Sequence, residues 1–491
     1  MATVGIVGAG VSGLACAKSA IECGLRPTIF EKSSRIGGTW RPSDGLVWDG
    51  MRANLSQRSM SYSDFPWPFD TQKPNPTAHE TYRYLTEYAT RFDLLDCVRP
   101  DSAVKSVSRS GGKWQICYGD DSDVAEFDFV LVASGVFSAP WYPDIPGLLD
   151  VETDKPHPWF THSAAFETAD NFRDQTVIVL GNVYSGADIT VALARGGAKR
   201  VVSVANRPLW FTHRLIPNEN GKLLPVDAYF KRPTEKVSIE EKLRRQHKLY
   251  NHWNGGDPGR FAKDLTVGDT SLTAPYLSIT DRYLEDVSAG RVELKQGVSS
   301  FDGKVATFKD GSNMEFDHVI CATGYRMVLP FLDESTKKTL DFLPHNSLQP
   351  VLMHKTTFHP DLPNLAFVGM FRGPYFAMIE LQARWACMAF SGECPYPTAE
   401  EMAAGIQEEK ELRGFVPRPQ FHHVGYALAE DISKIMGVFP QEELDGKSGA
   451  MLAKRLREGP LLPAHYRLCG PHANREVALA TIRKFNEDIE E

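Results

Sequence analysis

TVGIVGAGVSG, residues 3–13, decides the fold of this chain. A β-branched run, Thr3 to Val7, leads directly into Gly8-Ala9-Gly10-Val11-Ser12-Gly13, and then into an Ala-rich stretch from Leu14 to Cys23 that reads as a helix. Strand, glycine turn and helix in that order open a βαβ unit. Gly8 permits the tight turn, Gly10 lets the backbone approach a pyrophosphate, and Gly13 lets helix and strand pack closely. The helix N-terminus offers the phosphates unpaired N–H groups and a positive dipole end. Glu31 stands at the end of the next strand, where its carboxylate can accept the hydroxyls of an adenosine ribose.

Outward from this unit, Arg35-Ile36-Gly37-Gly38-Thr39-Trp40 supplies a second glycine pair that lets the chain run beside the pyrophosphate again. The extended pattern points to FAD rather than NAD. Lys32, Gly38, Thr39 and Trp40 join the three glycines and Glu31 as candidate FAD contacts, with Trp40 either over the flavin or simply packed. A second unit runs from Thr176 to about Arg207 and carries Gly181-Asn182-Val183-Tyr184-Ser185-Gly186. It keeps the outer glycines and has Val183 in the middle. Its second strand ends in Asn206 and Arg207, with no carboxylate to repel a 2′-phosphate and an arginine to pair with it, which favours NADPH over NADH. Ser185 is placed to donate to the phosphates and Tyr184 to wall the flavin site. Phe127 to Gly135 (FDFVLVASG) and Asp317 to Tyr325 (DHVICATGY) share one strand-to-glycine pattern. The expected fold is α/β, with two Rossmann-like dinucleotide-binding domains and the NADPH domain inserted in the FAD domain. Residues 1–150 form the first part of the FAD domain and 165–318 the NADPH domain, with a mainly helical insertion at 208–283. Residues 319–491 complete the FAD domain and the C-terminal region.

At about 150 residues per domain, 491 residues allow two or three domains, and a net charge of −8 argues against a nucleic-acid partner. None of the eight cysteines forms a C-x-x-C pair, which disfavours zinc ribbons and dithiol redox motifs and leaves no metal motif. No apolar run reaches the roughly 18 residues of a membrane span. The first strand leaves no room for a signal peptide, and the end, Asn-Glu-Asp-Ile-Glu-Glu, is too acidic for a tail anchor. A cytoplasmic protein without a membrane anchor is expected, with self-association into a homo-oligomer left open.

Nearly the whole chain resembles the flavin-containing monooxygenases. Arg35 to Trp40 matches the family's Glu-Gly-Gly-Thr-Trp neighbourhood, and Met51 to Pro68 (MRANLSQRSMSYSDFPWP) resembles the segment carrying its active-site asparagine, which falls on Asn54. Val319 to Tyr325, Asn364 to Gly369 (NLAFVG) and Glu380 to Trp385 (ELQARW) resemble its late motifs, and Gly459 to Pro471 the C-terminal region of animal members. The resemblance implies an enzyme that uses NADPH to reduce FAD, captures O2 as a flavin 4a-hydroperoxide, and passes one oxygen to a nucleophilic nitrogen or sulfur of a small molecule. Asn54 is then the catalytic amide near the peroxide and the nicotinamide ribose. Val104, Thr323 and Gln382 complete the candidate cofactor contacts, Gln382 on a helix expected from Tyr375 to Phe390. Three departures stand out. The family fingerprint Phe-x-Gly-x-x-x-His-x-x-x-aromatic survives only as His162, Ser163 and Phe166, with Pro156 and Pro158 replacing the Phe and Gly. The middle glycine is Val183, and the hydrophobic tail of vertebrate members is missing. His162 is expected to orient a linker rather than act as a base. Alternatives are a Baeyer–Villiger monooxygenase, an uncoupled NADPH oxidase and, in another class, a non-catalytic flavin-binding module.

Overall fold

The computed structural model describes residues 1–149, 155–232, 237–268, 276–346, 348–373, 375–415 and 426–490. Two pieces of the expected insertion, 233–236 and 269–275, therefore lie outside the described residues. Thr3–Val7 (β1) runs into Val11–Glu22 (α1) and then Arg26–Phe30 (β2). The helix begins inside the glycine motif rather than at Leu14, because Gly10 is already its N-cap and accepts at its carbonyl from Leu14 N at 3.0 Å. Val4, Ile6 and Leu14 are fully buried, which is the energetic return for the apolar β1 and the inner face of α1. Phe129–Val132 (β3) lies on the other side of β1, so that Gly5 pairs with both Thr28 and Val130. With Leu365–Phe367 beyond β3 and Val98–Arg99 beyond β2, the five strands form one parallel sheet.

The second sheet has the same plan. Thr176–Leu180 (β4) leads into Ser185–Arg195 (α2) and Arg200–Ala205 (β5), and His318–Cys321 (β6) flanks β4. Glu293–Gln296 and Phe160–His162 close the two edges, again all parallel. Strands 160–162 and 318–321 both belong to this sheet, so it extends past the expected limits of 165 and 318. A three-stranded antiparallel meander precedes β3 in the first unit, at 104–127, and β6 in the second, at 298–315. FDFVLVASG and DHVICATGY are thus the visible traces of a repeat that covers the whole unit.

The chain returns to the first sheet through Leu365–Phe367 (β7) and Phe376–Ser391 (α3). Every residue of α3 from Phe376 to Phe390 is buried, as expected of a helix covered all round, and Cys387 Sγ lies 3.7 Å from the Cys16 carbonyl oxygen of α1. The C-terminal region is tied to both helices by Arg467. Its buried guanidinium donates to Glu22 at 3.0 and 3.1 Å, to Glu380 at 3.1 Å and to Ser63 Oγ at 2.8 Å.

The described part of the insertion holds one α-helix, Ile239–Trp253, three short 3-10 helices, and four short strands, paired 210–212 with 277–279 and 215–217 with 223–225. Its apolar residues Trp210, Val226 and Tyr250 share one core with Ala53, Leu55 and Met60 of the first unit. The insertion therefore covers the segment that carries Asn54.

Candidate active site

The glycines of the first motif fall into two kinds. Gly8 has φ +102°, and a Cβ there would lie 2.8 Å from the Ala133 carbonyl oxygen; at Gly13 it would lie 1.8 Å from that of Gly8. Both are dictated by the fold. At Gly10 φ is −81°, and a Cβ would meet nothing nearer than Gly38 Cα at 3.5 Å. Nothing inside the protein demands glycine there, so the space a Cβ would fill is what a bound pyrophosphate needs. Gly38 abuts this cradle, since its own Cβ would lie 3.0 Å from Gly10 Cα, and Gly37 N donates to the Ala9 carbonyl at 2.9 Å. The second glycine pair thus runs beside the first, as its sequence suggests. Thr39 and Trp40 follow in a single tight turn, and Trp40 is half-buried against the main core.

Glu31 is buried and holds the rim of the cradle. Its Oε2 accepts from Ala9 N at 2.8 Å and its Oε1 from Ser33 N at 3.0 Å. A carboxylate has about four lone-pair positions, which leaves capacity for ribose hydroxyls. Lys32 is exposed, and Val104 is half-buried at the start of strand 104–110.

The second cradle repeats the geometry. Gly181 has φ +100°, with a Cβ position 2.6 Å from the Ala322 carbonyl oxygen, and a Cβ on Gly186 would lie 2.0 Å from that of Gly181. The two retained glycines are therefore the two that the fold requires, and the lost one, at Val183, is the position corresponding to Gly10. Tyr184 caps α2 with φ +25°, a backbone that side chains rarely adopt, and its amide donates to Ser278 Oγ at 3.1 Å. Ser185 is the first residue of the helix. Arg207 is exposed at the end of β5 and stacks on Tyr276, with its guanidinium carbon 3.7 Å from the ring centroid. Arg372, from the loop between β7 and α3, is a second cation on this side. Its Nη2 donates to the Tyr325 carbonyl at 3.1 Å, and burial, helped by the nearby Arg207 and opposed by Tyr184, holds it below the usual arginine range. Thr323 Oγ1 donates to the Trp141 carbonyl.

Gln382 is bonded inside the protein. Its Oε1 accepts from Gly369 N at 2.9 Å, and its Nε2 donates to Thr356 Oγ1 at 2.6 Å and Thr357 Oγ1 at 3.0 Å. Both N–H groups are used, and the side chain ties the loop that follows β7 to the segment that precedes it. The sequence places Gln382 on the right helix but does not reveal that its face turns into the core. His162 takes the structural role expected of it. Its Nε2 is 2.9 Å from the Gly324 carbonyl oxygen, its Nδ1 accepts from Ala164 N at 3.1 Å, and burial pushes it down to about 4.

Asn54 lies half-buried in a bend, and its carbonyl accepts from Asn75 Nδ2 at 3.1 Å. Its side chain meets a residue that the sequence did not single out. Arg214, from the insertion, donates from Nη2 to Asn54 Oδ1 at 3.1 Å and from Nε to the Ala53 carbonyl at 3.2 Å. The same guanidinium pairs with Asp188, in the first turns of α2, and with Asp281 at 3.1 Å. Burial lifts the Asp188 carboxyl above its usual range, and Arg214 offsets only part of that rise. The one sequence signal for this pair is the acid four residues into the helix after Tyr184.

Among the described residues, one group has metal-ligand chemistry: Cys23, Glu393 and His472. It is closed by a 2.7 Å contact between His472 Nε2 and Glu393 Oε2, and it sits at the C-terminal end of α1, a helix length from Gly10.

A glycine turn leading into a helix at the tip of each of two parallel sheets defines a protein with two dinucleotide-binding units. The chain belongs to the flavin-binding monooxygenase-like family, whose profile matches residues 1–487. It is 30% identical over 502 aligned residues to dimethylaniline monooxygenase (N-oxide-forming) 4 of Oryctolagus cuniculus, covering 95% of this chain and 85% of that protein. Flavin-containing monooxygenase 5 of the same animal is also 30% identical, over 95% of this chain and 89% of its own length. Among solved structures, S-allyl-L-cysteine S-oxygenase from Allium sativum superposes with a TM-score of 0.62 at 21% identity, covering 99% of each chain. The protein is a flavin-dependent monooxygenase, and its cofactors are FAD and NADPH. No helix among the described residues is long and apolar enough to cross a membrane.

Proposed function

We propose that this enzyme oxygenates a nucleophilic nitrogen or sulfur atom of a small molecule at the expense of NADPH and O2. Bound FAD supplies the redox chemistry, taking electrons from NADPH and delivering them to O2. The chain's own residues bind, orient and exclude water. Gly8, Gly10, Gly13 and Gly38 would receive the FAD pyrophosphate, with Glu31 on the ribose. Gly181, Ser185 and Gly186 would receive the NADPH pyrophosphate and Arg207 the 2′-phosphate, with Arg372 as a second cation nearby. Asn54 holds the pivotal place. Arg214 offers only donors, so it takes the amide oxygen of Asn54, and the amide N–H groups are the ones that would serve a bound cofactor. The insertion covers this segment with Trp210, Val226 and Tyr250, and the carboxylate of Asp227 accepts from Ser56 N at 3.1 Å and Oγ at 2.9 Å. A site closed in this way keeps water from the reacting atoms and strengthens any donor aimed at them.

The observation that supports the reading is the Arg214 bond to Asn54 Oδ1, because the same guanidinium pairs with Asp188 on the helix that follows the second glycine motif. The second nucleotide unit is taken as 160–321, following its strands. A cytoplasmic setting belongs to the same reading. Reduced cysteines support the setting, with all eight free. The test measures NADPH consumed, O2 consumed, peroxide released and oxygenated product, using a tertiary amine and a thioether. Product equal to most of the NADPH with either compound is expected. Peroxide alone, with every amine and thioether tried, would replace the reading with that of an oxidase.

A further inference from the structure

The residues that grip Asn54 come from the other nucleotide unit, and they form one connected set. Arg214 reaches out of the insertion and makes six contacts. It donates to the Asn54 side chain at 3.1 Å, to the Ala53 carbonyl at 3.2 Å and to the Arg52 carbonyl at 3.4 Å. It pairs with Asp188 on α2, and it meets Asp281 through Nη1 at 3.1 Å and through its own amide at 2.9 Å. Its side chain is only 7% exposed, so the bonds are shielded from water. A planar guanidinium with five fixed donors can serve several acceptors in one plane, which a lysine ammonium cannot reproduce. Asp188 stands in the first turns of α2, the helix whose N-terminus is the second cradle.

From this geometry we infer that Arg214 and Asp188 form a clasp that holds the Asn54 amide in its productive orientation and couples it to the helix of the NADPH cradle. Arg214 is a positioning residue, acting through Asn54. The inference rests on the reading of Asn54 given above. The physical argument has two parts. First, an asparagine amide has two orientations of similar shape, and a donor-only neighbour selects one of them, with the oxygen toward Arg214 and the N–H groups away. Second, a nucleotide at the N-terminus of α2 fixes that helix, and Asp188 passes the constraint to Arg214 and so to residues 52–54. Occupancy of the NADPH cradle thereby stiffens the donor on the flavin side.

The experiment uses FAD-bound protein carrying Asn54→Ala, Arg214→Lys, Arg214→Met, and Arg214→Met combined with Asn54→Ala. Arg214→Lys keeps a cation beside Asp188 and Asp281, which guards against the misfolding that an unpaired buried carboxylate invites in Arg214→Met. Three quantities are read: backbone amide exchange of residues 51–56 with and without NADP+, NADP+ affinity from the change in flavin absorbance, and peroxide released per NADPH. In wild type, NADP+ should slow exchange in this segment. In both Arg214 variants that protection should fall about tenfold, a typical coupling between directly contacting groups, with a parallel rise in peroxide. The double variant should release no more peroxide than Asn54→Ala alone, a result that a merely structural arginine would not give. Unchanged protection and coupling in Arg214→Lys, or additive effects in the double variant, would overturn the clasp while leaving Asn54 in place. Fully coupled turnover in Asn54→Ala would instead remove the reading of Asn54 on which the clasp depends.

Discussion

Adding a methyl group to Gly10 separates a glycine required by the fold from one required by a ligand. The backbone at Gly10 has φ −81°, which alanine adopts without strain, and its Cβ would rest 3.5 Å from Gly38 Cα, an ordinary van der Waals contact. The folding cost is therefore only that of replacing a glycine N-cap by alanine, about 1 kcal/mol or less. The pyrophosphate is another matter, because it should occupy the space the methyl enters. Forcing a methyl into a well-packed site costs about 1–3 kcal/mol. At 1.4 kcal/mol per decade, FAD should bind roughly 5- to 150-fold more weakly to Gly10→Ala, and Gly10→Val should purify nearly colourless. Gly13→Ala is the contrast. Its Cβ would sit 1.8 Å from the Gly8 carbonyl oxygen, so α1 must shift and the cofactor-free protein itself should lose its cooperative melt. The assays are flavin-to-protein absorbance on purification, fluorescence titration of cofactor-free protein with FAD, and thermal melting without FAD. Full flavin content and unchanged affinity in Gly10→Val would refute the assignment of the first cradle.

Arg207→Ala should erase a preference for NADPH over NADH of about tenfold or more, the worth of a charge-assisted bond to the 2′-phosphate; equal kcat/KM for the two nucleotides in the unaltered enzyme would remove Arg207 from the site. Asn54→Ala should lose about a hundredfold or more of oxygenation, by analogy with a missing oxyanion donor, while peroxide rises, and product per NADPH is the measure. Arg467→Met should destabilise by about 3–5 kcal/mol, since it strands Glu380 and leaves Glu22 and Asp64 with Lys18 as their remaining cation. Burial alone would raise Glu22 and Asp64, but Arg467 and Lys18 outweigh it and hold both below their ordinary values of 4.5 and 3.8. Their contribution is thus complete above those values and disappears as pH falls through the lower folded ones. Denaturant melts should weaken progressively below about pH 4.5, and Arg467→Met should flatten that slope.

The local code of the two units is legible because it lies in residues adjacent in the chain. Gly8 and Gly13 are obligatory for a strand turning into a helix, and the same two needs recur at Gly181 and Gly186. The turn geometry is set by neighbouring residues, so a single sequence reveals the fold class and its two nucleotide units, whereas the segment carrying Asn54 is legible only through the family resemblance. The start of α1 was displaced by three residues because Gly10, which a propensity reading leaves outside a helix, already caps it. The matching meanders at 104–127 and 298–315 left no trace in the sequence, since short antiparallel strands are specified by which face they bury rather than by any fixed motif. Tertiary structure alone decided what each polar side chain touches. Gln382 and Asn54 are both amides in recognisable motifs, yet one faces Gly369 and the threonines of the core and the other faces Arg214. Residues 54, 188 and 214 are far apart in the chain and meet only because two parallel sheets and an insertion pack together. Hydrogen bonds reach about 3 Å in space and are indifferent to separation along the chain. A motif can therefore announce that a donor is present, but only the packed protein determines where it points.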